Sequence, residues 1–281
     1  MLAFGMPFLN VTGYRFFDIH DPEGIRLRLL SYFENSGVKG TIIMASEGIN
    51  LSLCAEEAKL VAFENFMFEE LGFPCFELKR SWSEKIPHKK MLVKIRPEIC
   101  TLKFPGIDPQ RKPAPYIEPK KLKQWLDERR DFVLLDTRKE FEFRLGSFET
   151  AINLGGKHFA DFPQEVDSLP ADWKHKPIVS FCTGGIRCEK AAPMMVAKGF
   201  TNIFQLKGGI LNYFQECSGE HWRGECFVFD HRAAIKPSLD PVESMNCRLC
   251  GGAYSMRDLP NNIDGLRMTC PACMQNVSAA R

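Results

Sequence analysis

Cys182 opens the stretch Cys182-Thr183-Gly184-Gly185-Ile186-Arg187, set between the apolar run Ile178-Val179-Ser180-Phe181 and a helix-period segment that starts at Cys188. A thiol followed by two glycines and an arginine, at a strand-to-helix turn, has the makings of an anion-stabilising loop. The glycines let consecutive main-chain N–H groups turn inward as a nest, and the start of the helix adds its positive end. Thr183, Gly184, Gly185 and Ile186 supply the loop amides. A free thiol ionises at about 8.5, and such surroundings bring it to roughly 3.5–7.5. Arg187 is expected to add charge and a fork of donors for a bound anionic group. The C-x4-R spacing is sized for a persulfide or a similarly small group. It is one residue shorter than the C-x5-R loop with which cysteine phosphatases surround phosphate, so sulfur or thiolate chemistry is favoured over phosphate hydrolysis. A cysteine that only packs at the strand end is the alternative. Cys188 is a candidate resolving thiol for an oxidised or persulfidated Cys182, although packing alone would also explain it.

A second group of thiols closes the chain. Cys247 and Cys250 form one C-x-x-C pair, and Cys270 and Cys273 form another 19 residues later. Four thiolates in this spacing suit one tetrahedral ion, as in a structural zinc ribbon. A dithiol redox pair would explain one C-x-x-C and leave the other unexplained. Eleven cysteines, with metal-type spacing and no signal-peptide pattern between Met1 and Phe17, are expected in a reducing, cytoplasmic setting. With 44% hydrophobic and 26% charged residues, the composition is that of a globular protein, and no run approaches a membrane span.

The elements that would position these groups fall into three blocks. Strand and helix signals alternate at first: a strand at Tyr14–Ile19, a helix from Asp21 (N-cap, with Pro22 first) to Asn35, strands at Val38–Met44 and Asn50–Cys54, a helix at Glu56–Leu71, and strands at Cys75–Lys79 and Met91–Ile95. The order βαββαβ plus one added strand predicts a ferredoxin-like α+β domain over residues 1–99, whose open sheet can serve as a binding platform. A proline-rich linker follows at 100–119. An α/β block over 120–232 has a helix at Lys120–Arg129, strands at Phe132–Leu135, Ala151–Asn153, Ile178–Phe181 and Ile203–Leu206, and a helix at Cys188–Lys198. Its apolar strands predict a parallel sheet covered on both faces. Residues 233–281 form the cysteine-bearing, zinc-ribbon-like tail.

Longer words of sequence add a resemblance. Leu134-Leu135-Asp136-Thr137-Arg138, Gly146-Ser147-Phe148, Ala151-Ile152-Asn153 and Phe204-Gln205-Leu206-Lys207-Gly208-Gly209-Ile210 look like the entry and closing motifs of rhodanese domains. In that family Asp136 and Arg138 would brace the domain as an internal ion pair. Phe181 to Lys190, Trp222 to Asp230 and Ser46-Glu47-Gly48-Ile49-Asn50 resemble the bacterial oxygen-dependent tRNA uridine hydroxylases, rhodanese-domain proteins that convert the wobble uridine to 5-hydroxyuridine. That resemblance implies an enzyme acting on the tRNA anticodon loop, with molecular oxygen as co-substrate and Cys182 as the catalytic cysteine. A thiolate adding to C6 of uridine would activate C5 toward an oxidant. No G-x-G-x-x-G flavin or nicotinamide motif is present, and the six histidines form no His-x-Asp/Glu pair of the kind iron sites use.

An RNA partner also accords with charge. Residues 79–123 hold 13 Lys/Arg and 4 Asp/Glu, a local +9, which leaves −7 for the rest of a chain whose net charge is +2. Within this stretch Lys79, Arg80, Lys85, Lys89 and Lys90 are candidate phosphate contacts, with Trp82 as a candidate stacking side chain. A solvated linker would show the same charge bias. Glu47 and Asn50 could form a tight turn or touch substrate. Two other functions stay open from sequence: a plain sulfurtransferase carrying a persulfide on Cys182, and a non-catalytic scaffold. The intact loop counts against the scaffold, and the N-terminal domain counts against the simple sulfurtransferase.

Overall fold

A computed structural model describes residues 7–230, 232–242, 244–247, 252–255, 270 and 273. The first domain runs β1 (Phe8–Phe16), α1 (Pro22–Phe33), β2 (Lys39–Ala45), β3 (Gly48–Ala55), α2 (Glu57–Asn65), β4 (Lys79–Ser83) and β5 (Met91–Ile95). Its sheet has the order β4-β1-β3-β2-β5. The first four strands pair antiparallel, and β5 joins β2 in parallel, so the expected ferredoxin-like domain is present with one added edge strand. Asp21 caps α1 by accepting the Gly24 N–H at 2.9 Å, and Pro22 takes the first helical position, where its missing N–H costs nothing.

Strand alternation divides this sheet into two faces. Leu9, Val11, Ile42, Met44, Ile49, Leu51 and Leu53 form a buried core with Leu29 and Phe33 of α1 and Leu60 and Phe63 of α2. The opposite face carries Thr12, Tyr14, Thr41, Ile43, Asn50 and Ser52, all of which line a cavity shared with the second domain. Three expected elements shift. The first strand, expected at Tyr14–Ile19, runs over Phe8–Phe16 because its ladder to β3 extends from Leu9 opposite Ala55 to Phe16 opposite Gly48. β4 begins where the expected strand ended, because its register against β1 pairs Thr12 with Lys79 and Leu9 with Trp82. Phe76 and Leu78 still pack on the core, but from irregular chain. The second helix ends at Asn65 and continues as a π-helical turn over Phe66–Glu70.

The second domain continues as β6 (Tyr116–Ile117), α3 (Pro119–Asp127), β7 (Val133–Asp136), α4 (Glu140–Leu145), β8 (Gly146–Phe148), β9 (Ala151–Asn153), α5 (Phe162–Val166), β10 (Ile178–Phe181), α6 (Ile186–Ala197), β11 (Ile203–Leu206) and α7 (Gly209–Cys217), followed by β12 (Trp222–Gly224), β13 (Cys226–Phe227) and β14 (Ala234–Ile235). Its main sheet has the order β6-β11-β10-β7-β9, with every pair parallel. The central β10 is buried along its whole length. One face packs on Leu122 of α3 and Ile210, Tyr213 and Phe214 of α7, and the other on Phe162 of α5 and Met194 and Met195 of α6. This is the rhodanese-like parallel sheet.

The proline-rich segment expected as a linker is ordered against the second domain. β6 hydrogen-bonds to β11, and Leu102 and Ala114 are buried in the second domain's core, so the proline-rich segment is irregular, turn-containing chain laid against that domain. Asp136 and Arg138 form the expected internal brace: their side chains are fully buried and meet at 2.6 Å, with further bonds from Arg138 to the Gly146 carbonyl and from Ser147 to Asp136. The two domains are tied together by several contacts. Phe16, Ala45 and Ile99 cluster with Tyr14 and Ile186. Lys190 of α6 reaches Glu47 at 2.7 Å and Glu98 at 2.6 Å, and Arg232 donates to Ser81 at 2.8 Å. In the tail, β15 (Ser244–Asn246) pairs with β16 (Ala253–Ser255). Gly252 packs on α4 so closely that a Cβ there would lie 3.0 Å from the Phe141 side chain. No described helix is long and apolar enough to cross a membrane.

Candidate active site

The stretch from Cys182 to Arg187 turns from β10 into α6 as a cage around one sulfur. The Gly185 N–H donates to Cys182 Sγ at 3.1 Å, and the amides of Arg187 and Cys188 also point at it. Gly185 adopts φ +103°, and a Cβ there would lie 2.8 Å from the Tyr14 hydroxyl, so two demands fix glycine at this position. From outside, α7 holds the loop. Ile210 N–H donates to the Cys182 carbonyl at 2.9 Å and Leu211 N–H to the Thr183 carbonyl at 3.1 Å. The loop's carbonyls are thereby turned out and its amides in. Gly209, at φ +67°, permits this approach, since a Cβ would come within 2.5 Å of the Cys182 carbonyl.

Burial alone would push the Cys182 thiol up. The Cys188 thiol, the Arg187 charge and the loop amides outweigh it and bring the sulfur down to about 6. Cys188 has the opposite fate: burial and the neighbouring sulfur raise it well above the ordinary thiol value. It therefore stays protonated and donates to the Cys182 thiolate, with Thr137 on its other side at 3.6 Å. A resolving thiol needs this same contact.

Arg187 is where the sequence reading needs correction. Its fork does not wait for a ligand anion. It is closed on Glu142 of α4, with bonds of 2.9 and 2.8 Å. The carboxylate is fully buried; although burial opposes ionisation, Arg187 holds it below its ordinary value. The arginine thus acts on the sulfur by charge and by anchoring the loop to α4. Its guanidinium also lies 5.4 Å from the Phe229 ring centroid, and Phe229 is 60% exposed, an aromatic face standing beside the loop.

Cys182 opens into a cavity of about 420 Å³ between the domains, lined on one side by Cys182, Thr183, Gly184, Ile186 and Arg187 and on the other by the free face of the first sheet. Of the candidate RNA contacts, Lys79 and Arg80 line this cavity. Arg80 is held by Glu64 at 2.6 Å. Trp82 packs on the first domain's core rather than standing free as a stacking platform. Lys85, Lys89 and Lys90 are exposed. Glu47 sits, as one of the two expected readings had it, in the two-residue Ser46–Glu47 turn that joins β2 to β3, and its carboxylate is occupied: besides Lys190 it accepts the Ile99 N–H at 2.8 Å. Asn50 donates to the Ile99 carbonyl at 3.3 Å and lines the cavity.

Several site residues were not legible from sequence. Cys100 lines the cavity with Cys182. Glu189 of α6 accepts from Tyr14 and Tyr116 at 2.9 Å, which ties three chain segments together beneath the loop. These partners lie far apart in the chain, and no local pattern announces them.

Among the described tail residues, the sulfurs of Cys247, Cys270 and Cys273 lie within 4.8 Å of one another. The Cys270 N–H donates to Cys247 Sγ at 3.3 Å, the usual support for a metal-bound thiolate. This cluster can hold a metal ion. Cys250, the fourth expected ligand, lies outside the described residues.

Comparison with known proteins places these features in a family. Residues 8–99 match the UPF0176 acylphosphatase like domain, and residues 118–216 match the rhodanese-like domain. The chain is 40% identical over 274 residues to the tRNA uridine(34) hydroxylase of Cupriavidus necator, covering 96% of this chain and 97% of that protein. It is 41% identical over 276 residues to the protein of the same name from Cupriavidus taiwanensis, with coverage of 96% and 97%. A solved rhodanese-like domain from Anabaena is 21% identical over 40% of this chain and 80% of its own, with a TM-score of 0.34. The near-complete match to the curated relatives shows that the chain belongs to the tRNA uridine(34) hydroxylase family.

Proposed function

We propose that the protein converts uridine 34 of tRNA, the wobble position, to 5-hydroxyuridine, with molecular oxygen as co-substrate and Cys182 as covalent nucleophile. The observation that carries this reading is the caged Cys182 sulfur opening into an interdomain cavity large enough for a nucleoside. A single flipped-out base is the form in which an enzyme reaches ring atoms. The exposed Phe229 face offers stacking, and the exposed Lys85, Lys89 and Lys90 offer phosphate contacts for the rest of the anticodon loop.

In the proposed reaction the Cys182 thiolate adds to C6. The C5=C6 electron pair moves onto C5 and the C4 carbonyl, making C5 nucleophilic. One oxygen atom is delivered to C5, and the other leaves as water after taking two electrons and two protons from a reductant. Loss of the C5 proton and expulsion of the thiolate restore the double bond. A plain sulfurtransferase needs neither the first sheet nor the cavity it forms with the loop. The test is direct: purified protein, unmodified tRNA, oxygen and a thiol reductant, followed by mass spectrometry of the nucleosides. Oxygen-dependent 5-hydroxyuridine at position 34 is expected; thiolated uridine without hydroxylation would favour sulfur transfer instead.

For the tail, zinc is the proposed ion, held by Cys247, Cys250, Cys270 and Cys273, because thiolates in this spacing suit a closed tetrahedral site. Bound there, it would crosslink the tail beneath α4. Elemental analysis is expected to find about one zinc per chain. Cys247→Ser is expected to release it and to lower the melting temperature, since metal binding and folding are coupled in such small units. A zinc-free protein with unchanged melting would contradict the assignment.

A further inference from the structure

We infer that Lys79 is a second catalytic residue of this reaction, its ammonium holding the charge that develops on the C4 oxygen of uracil as Cys182 adds to C6. This inference rests on the hydroxylase reading above. Lys79 comes from β4 of the first domain, yet its Nζ donates to the carbonyl of Gly184, two residues after the reactive sulfur. It lines the same cavity as Cys182. Among the described residues no carboxylate lies within ion-pair distance of it, whereas Arg80, Arg187 and Arg232, which share the cavity, are each closed on an acidic partner. A half-buried cation without a carboxylate partner costs stability, and such arrangements concentrate at functional sites.

The groups around Lys79 leave one use for it. Cys182 faces it from the loop, Glu189 from α6, and Glu77 precedes it on its own segment. Tyr14 stands on the adjacent β1, and Arg15, Tyr116 and Lys207 share with it a neighbouring cavity. Glu189 is already occupied by Tyr14, Tyr116 and Gln205. Of the anions around Lys79, the Cys182 thiolate pulls on it most strongly, ahead of Glu77 and Glu189. An ammonium has three donors, and one is spent on Gly184, so two remain for the cavity. When the sulfur–C6 bond forms, the negative charge leaves sulfur and passes through C5 to the C4 oxygen. Lys79 donates a hydrogen bond or its proton to that oxygen, and recovers the proton when C5 takes up oxygen and the carbonyl re-forms. Interactions that strengthen only as charge develops are those that raise kcat. Burial brings Lys79 down to about 8, against the opposing pull of Cys182, Glu77 and Glu189, close to the range where proton transfer at neutral pH is most efficient.

The test is kinetic, with tRNA as substrate. Lys79→Met is expected to lower kcat by roughly 10²–10³-fold with little change in KM. The wild-type kcat/KM profile is expected to rise through about pH 6 and fall through about pH 8 as the ammonium is lost. Lys79→Arg, charged throughout, is expected to retain part of the rate and to lose the alkaline fall. A lysine that only tied down the loop would not move that limb. Activity of Lys79→Met within threefold of wild type, or an alkaline limb unchanged in Lys79→Arg, would overturn the inference. If Lys79→Met does not fold, the pH profile of Lys79→Arg decides. Should Cys182→Ser remain fully active, the covalent reading itself fails; an inactive Cys182→Ser beside a fully active Lys79→Met removes only the lysine's role.

Discussion

Cys182→Ser is expected to abolish 5-hydroxyuridine formation, with a loss on the order of 10⁴-fold or more, as when the nucleophile of a catalytic unit is removed. The substitution is nearly isosteric, so the loop amides and the bond from Gly185 remain available, and melting should scarcely change. What disappears is the ionised atom. Burial works against any charge at this position, and a thiol overcomes it with help from Cys188, Arg187 and the amides, reaching about 6; a hydroxyl starts several units higher and stays protonated. The same physics sets a pH dependence. Below pH 6 the sulfur binds its proton, and alkylation of Cys182 by iodoacetamide is slow. Above pH 6 it is ionised, and the rate reaches a plateau. A midpoint near 9, the ordinary thiol value, or full hydroxylation by the serine variant would contradict the account.

The second large effect is expected at a residue outside the loop. Glu142→Ala leaves the Arg187 guanidinium buried without its carboxylate, and breaking a buried pair from one side costs about 3–5 kcal/mol. For a domain of this size that corresponds to a fall in Tm of roughly 10–20 °C, readable by calorimetry. Function should suffer separately. Arg187 would be free to move away from the sulfur it helps to ionise, so the Cys182 alkylation midpoint should rise. The tail belongs to the same chain of contacts: Gly252 lies on Phe141, Phe141 meets Phe227 at 5.0 Å, and Phe227 meets Phe229 at 4.9 Å. A variant that melts within 2–3 °C of wild type, small beside the shift expected for a broken buried pair, would show that the Glu142–Arg187 pair is not the loop's anchor.

How much of this site could be read beforehand depended on distance along the chain. The loop was legible because its parts are consecutive: a strand end, two glycines and a helix start already dictate inward amides around Cys182. Asp136 and Arg138 were legible for the same reason, being two residues apart. Glu142 and Arg187 are 45 residues apart, Lys79 and Gly184 are 105 apart, and Lys190 and Glu47 are 143 apart; no period or motif links such pairs, and only tertiary packing brings them together, within the second domain for the first pair and between the two domains for the others. Arg187 was accordingly expected to bind a ligand anion when an internal one was already waiting. β4 was displaced for a related reason. The apolar residues around Phe76 suggested a strand, but the ladder to β1 fixes the register further on, and this register delivers Lys79 to the loop. Trp82, promising among lysines in sequence, is claimed by the core because it stands opposite Leu9.

Exchange of the uridine C5 hydrogen in the absence of oxygen tests the covalent step most directly. Addition of Cys182 to C6 makes C5 basic enough to take a deuteron from heavy water, and reversal of the addition can then release the original hydrogen. With tRNA in deuterated buffer under argon, the wild-type protein is expected to place deuterium at C5 of uridine 34, and Cys182→Ser is expected to place none. If the wild-type protein shows no exchange there, yet hydroxylates the same tRNA once oxygen is admitted, Cys182 does not attack the base and the covalent account is wrong.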